Sequence, residues 1–233
     1  MECPAECRQW LDAIALDLHD RDCLPIAVFT YLVDVSALLP RMFRLVCEGS
    51  QTAAAAAAPS FLRAVEAVEK SFPEIRAGGS ATVHLWATYR GVRVKLHHCL
   101  ILLLRFAETS PGISTAARHA FQERREASLC VIRAEVQGLL DVVEAIAPAR
   151  GQYGDKSGGA PSWMDVLRVL WPLSIVARLA TVPAGLRETA VRSLLVVRRC
   201  TDFSAWFPCL LSRSLCPPRL RDRLEWIIRW RGS

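Results

Sequence analysis

A chain of 233 residues, 52% of them apolar, can bury one sizeable core. Its net charge of +6 is carried by 26 arginines against 3 lysines, and enrichment of Arg alongside Ala, Gly and Pro is what a GC-rich coding sequence produces, so charge by itself assigns no anionic partner. The nine cysteines are odd in number and contain no C-x2-C pair, which argues against a disulfide or zinc framework and predicts reduced, buried thiols in an intracellular protein.

Residues 1–11 carry Glu2, Glu6 and Arg8 without an apolar centre, unlike a signal peptide. Uninterrupted apolar runs fall well short of the roughly 18–20 residues of a membrane span, so the expectation is a soluble chain with no membrane contact. Apolar residues recur at steps of three and four, and β-branched and aromatic residues do not alternate over any long segment. The fold class predicted is all-α: one multi-helix, bundle-like domain around a central buried helix.

In chain order, residues 9–18 set apolar and acidic positions at helical spacing, as an N-terminal helical extension over 1–23. Pro25 can open the next helix, over 26–47, with Pro40 expected to kink or split it. Residues 49–59 contain six consecutive alanines with no large side chain among them, and are read as a surface loop. Ser60 is read as the cap of a helix whose Phe61, Val65, Val68 and Phe72 share a stripe. After Gly78 and Gly79 comes the stretch that organises the rest, over 84–106.

In that stretch Trp86, Tyr89, Arg93, Leu96, Leu100 and Leu103 follow helical spacing, and every position from Cys99 to Leu104 is apolar. Its second half must therefore be covered on nearly all sides, while Arg90, Arg93, Lys95, His97 and His98 leave the first half partly wet. Pro111 and Gly112 end it, and Ser114 or Thr115 caps a partner helix to about residue 146, making an antiparallel hairpin. Residues 150–161 read as a flexible loop. Ser162 and Asp165 resemble a capping box for a helix kinked at Pro172. Pro183 opens a further helix through 199, and an Arg-rich C-terminal helix closes the chain over 216–233.

Chemistry is sparse. His97, His98 and Cys99 are adjacent, and neighbouring helix positions point about 100° apart, so they cannot share one ion. No nucleophile elbow or phosphate-cradling loop is present. Glu123, Glu126, Glu135 and Glu144 are read as a solvated face. No catalytic residue, metal or cofactor is expected. From Arg187 onward ten arginines face four acidic residues, but Leu, Ile and Trp between them read as a helix packed on the body rather than a nucleic-acid reader.

Two segments carry a resemblance. The pattern W-x2-Y-R-x2-R-V at Trp86, Tyr89, Arg90, Arg93 and Val94, followed by an aliphatic run, resembles the central helix of the regulatory region of fungal binuclear-zinc-cluster transcription factors. Leu170-Trp171-Pro172-Leu173 is similar to that family's L-[WF]-P-L segment, with Asp202-Phe203-Ser204-Ala205 beyond it. Tyr31-Leu32-Val33-Asp34 with Leu38 and Leu39 resembles an earlier helix. The likeness spans 24–215, and Cys3-x3-Cys7 departs from the family's six-cysteine DNA-binding cluster.

The resemblance implies an all-α regulatory domain acting in the nucleus, without sequence-specific DNA binding of its own, on a metabolic or secondary-metabolite pathway. It would act through a protein partner, either the transcription machinery or a DNA-binding regulator, or through a small-molecule effector. The alternative is a small-molecule-binding protein, cytoplasmic or nuclear, with a pocket between helices. Trp86, Tyr89, Arg90 and Arg93 are then either a structural motif, with the arginines paired to carboxylates of neighbouring helices, or a surface for an acidic effector or partner.

Overall fold

The computed structural model describes residues 23–72, 83–146 and 163–201, with isolated helical positions at 7 and 9. Among these residues there are six helices and no strand. They are α1 (Cys23–Cys47), α2 (Gln51–Ser71), α3 (Val83–Glu108), α4 (Thr115–Ile146), α5 (Trp163–Arg178) and α6 (Ala184–Thr201). The all-α class read from the spacing is therefore the observed one. The expected helix over 9–18, the break at 78–80, the loop at 150–161 with the cap that follows it, and everything from Asp202 onward lie outside the described residues, apart from the helical state of position 9.

The central post is α3, which packs against α1, α2, α4 and α5, while α6 rests on α5 and α4. All six residues from Cys99 to Leu104 are buried, as a run with no polar side has to be. Tyr89, Val92, Leu96, Leu100 and Leu103 join one core with α1 and α2. Ala87, Val94 and Ile101 join a second core with α4, α5 and α6. A helix apolar all round thus has a core on each side.

Three proline positions show how far local rules carry. α1 continues through Pro40 as one helix, so the proline does not split it. The missing N–H leaves the Ser36 carbonyl without its helical donor, and Ser36 is exposed to water, which can replace it. Pro59 and Pro172 likewise sit inside α2 and α5. At Pro172 the ring lies directly over Gly91 of α3, where a Cβ would come within 2.9 Å of the Pro172 Cβ. Only glycine lets α3 and α5 approach so closely.

The loop expected over 49–59 is instead the start of α2. Ser50, not Ser60, is the N-cap: its Oγ accepts from the Ala53 N–H at 3.1 Å. Ser60 lies within the helix and donates to the Ala57 carbonyl at 2.7 Å. The alanine run that lacks bulk has the best helix propensity, and Ala54 and Ala58, one turn apart, are fully buried. Small side chains here allow close helix approach rather than preventing burial. The expected α3–α4 hairpin is present, with Ser114 Oγ capping Ala117 N–H at 3.1 Å.

Read as a helix rather than as uninterrupted runs, Leu24–Cys47 is long and apolar enough to cross a membrane. Val28, Tyr31, Val35 and Met42 are buried within the protein, while only 28% of the apolar window is buried in all and Phe29 is exposed.

Candidate functional site

Trp86, Arg90, Arg93 and His97 follow one another at steps of four, three and four, so the first turns of α3 carry one polar stripe into the bundle. Glu69 of α2 and Glu135 of α4 meet it. Each glutamate lies on its own helix's apolar side: Glu69 four residues after Val65 and three before Phe72, Glu135 three after Ile132 and four before Leu139. Packing those sides against α3 carries the carboxylates inward with them.

The result is a charge network joining four helices. Glu135 accepts from Arg90 Nη1 at 2.9 Å through Oε2 and from Arg93 Nη1 at 2.6 Å through Oε1. Arg93 also donates from Nε to Glu69 Oε2 at 2.7 Å, and its Nη2 pairs with the same oxygen. Tyr31 of α1 donates its hydroxyl to Glu69 Oε1 at 2.7 Å. His97 stands beside this oxygen, with Nε2 at 3.7 Å and Nδ1 3.2 Å from Ser128 Oγ of α4. Two formal positive charges face two negative ones, the balance a partly buried cluster needs. Gly138 of α4 makes room for it, since a Cβ there would overlap the Arg90 guanidinium.

Aromatic rings close one end. Phe72 stacks on Tyr89 with centroids 4.0 Å apart, and Tyr31 and Trp86 meet Tyr89 edge-on at 4.9 and 5.9 Å. The Arg93 guanidinium lies 5.9 Å from the Tyr89 ring centre. All four residues of the W-x2-Y-R-x2-R pattern are therefore brought together in one interhelical cluster. The Trp86 Nε1, Arg90 Nε and His97 Nε2 atoms are buried there without a hydrogen-bond partner.

The electrostatics bear on stability. Burial alone would raise the Glu69 carboxyl, but His97, Arg93 and Tyr31 outweigh it and hold the group down to about 2. His98, on the other side of α3 and hydrogen-bonded to Thr181 at 2.9 Å, is pushed down to about 4 by burial and then by Arg105 and Lys95. Both groups bind protons more weakly when folded than when unfolded. Their contributions are complete above the ordinary values of 6.5 and 4.5 and are lost as the pH falls toward 4 and then 2. The melting temperature is expected to start falling below about pH 6.5, and His98→Gln to remove that first decline. A flat profile from pH 7 to 4.5 would contradict the His98 assignment.

Several sequence expectations are corrected by this geometry. Glu135, read with Glu123, Glu126 and Glu144 as a solvated face, is only 7% exposed. His97, taken as a partly exposed helix histidine, is buried at 6%. Glu69 and Ser128 have no place among the residues read from the sequence, and Tyr31 enters there only through the Tyr31-Leu32-Val33-Asp34 resemblance. The available signal was the position of each glutamate inside an apolar stripe opposite two arginines. Among the described residues, no group of His, Cys, Asp or Glu is placed to hold a metal ion. Cys99 is buried, and burial pushes its thiol up to about 12, a poor nucleophile at neutral pH. Cys47 is half-buried and Cys130 exposed, so burial does not extend to every thiol.

A second feature lies away from this cluster. Arg41, Arg44, Leu45, Glu48 and Gly49 of the α1 end face Ala57, Ser60 and Phe61 of α2 across a groove of about 530 Å³. The Arg41 guanidinium sits 5.4 Å from the Phe61 ring centre.

Comparison with known proteins matches no family model, no curated protein and no solved structure to this chain. The class defined by fold and site is an all-α bundle with a charged interhelical cluster.

Proposed function

We propose that the chain is a non-enzymatic regulator of transcription, related to the regulatory region of fungal binuclear-zinc-cluster factors, that works in the nucleus by contact with a protein partner. One observation supports this reading. Trp86, Tyr89, Arg90 and Arg93, four of the residues that carry the resemblance, converge on one cluster tying α1, α2, α3 and α4 together, so their spacing has an architectural role. A motif that serves as a structural centre is what a shared regulatory fold would retain.

The test is a reporter assay with the chain fused to a heterologous DNA-binding domain, alongside nuclear tagging. The fusion is expected to change reporter output, and Arg93→Ala to lose that output together with melting temperature, because the arginine holds two carboxylates. An exclusively cytosolic protein, or no effect from a folded fusion, would sink the reading. Output lost at an unchanged melting temperature would instead make Arg93 a contact residue. The small-molecule alternative has the groove between α1 and α2 in its favour, but Arg41, Arg44, Glu48 and Ser60 are exposed along it, and ligand pockets enclose most of what they bind.

A further inference from the structure

The groove between α1 and α2 combines an apolar floor with uncompensated positive charge. Leu45 and Ala57, both half-buried, form the floor beside the buried ring of Phe61, which Arg41 covers. Arg41 and Arg44, one turn apart on α1, form a rim, and Arg63, one turn beyond Ser60 on α2 and also exposed, continues the positive charge nearby. Among the described residues none of these three arginines makes an ion pair, although most of the arginines around the central cluster do. Glu48 is the one acid in the lining.

We propose that this groove is a docking site for an acidic amphipathic helix of a protein partner, an inference that rests on the partner-contact reading above. Such a helix sets Leu or Phe side chains at steps of three and four into the apolar floor, while its flanking carboxylates meet Arg41 and Arg44. Arg41 is already oriented by its stack on Phe61, so less side-chain freedom is lost when a carboxylate arrives. Nucleic acid suits the groove less well. Arg41 covers the one aromatic ring in the lining, so no ring face is open there for base stacking.

The experiment is fluorescence anisotropy of the purified full chain. The probe is a fluorescein-labelled synthetic peptide with Leu and Phe at helical spacing and Glu elsewhere. Saturable binding is expected, at least about tenfold tighter than for a scrambled peptide of the same composition. Arg41→Glu with Arg44→Glu should weaken it about tenfold or more at unchanged melting temperature. Ala57→Trp, which fills the floor without altering charge, should weaken it as well. Equal binding of the scrambled peptide would mean charge attraction only and overturn the proposal. So would indifference to the charge-reversal pair in a folded protein, or a labelled DNA duplex that binds through the same arginines and displaces the peptide. The reporter assay is independent. Peptide binding in a chain without reporter activity upholds the groove and removes the transcriptional role, whereas reporter activity without peptide binding removes the groove.

Discussion

Glu135→Ala is expected to lower the unfolding free energy by about 3 kcal/mol, measured as a shift in the urea midpoint at constant slope. The carboxylate is almost fully enclosed, and its two oxygens hold Arg90 and Arg93 separately. Removing it leaves two guanidinium groups facing each other inside the bundle with only Glu69 to offset them. The figure sits at the lower end for a broken interior pair because both arginines keep about a quarter of their side chains in contact with water. Arg90→Met in the Glu135→Ala background should recover part of the loss, since it removes one uncompensated charge and fills the space beside Gly138. A loss under about 0.5 kcal/mol would show that water, rather than Glu135, satisfies the arginines.

Leu100→Ala is expected to cost about 2–5 kcal/mol, with Leu103→Ala in the same range. Both side chains are fully buried on α3 and belong to the core shared with α1 and α2. Truncation there removes apolar burial and leaves a space that the rigid crossing of three helices cannot fill. Ile101, about 100° further round the same helix, belongs to the core shared with α4, α5 and α6. Leu100→Ala and Ile101→Ala therefore probe the two cores separately, each through its own loss of unfolding free energy. A negligible loss at Leu100 would contradict the role of α3 as the central post.

The sequence by itself determined the helical class, the central position of α3 and the α3–α4 hairpin. Each rests on a periodicity repeated over many residues, and a run apolar on every side of a helix has only one stable place to go. It also drew attention to Trp86, Tyr89, Arg90 and Arg93. Their partners were decided by tertiary structure alone. Glu69 and Glu135 are ordinary helix residues until the apolar stripes beside them pack on α3, and the burial that places them is a property of the whole bundle. The alanine run of α2 differs from its sequence expectation for a related reason. Side-chain bulk alone does not measure burial, because close packing of two helices rewards small residues such as Ala54 and Ala58. The same holds for Pro172, whose place opposite Gly91 depends on two segments some eighty residues apart coming together. Local spacing states which side of a helix is apolar, and only the neighbouring helix decides which polar groups that side takes inside with it.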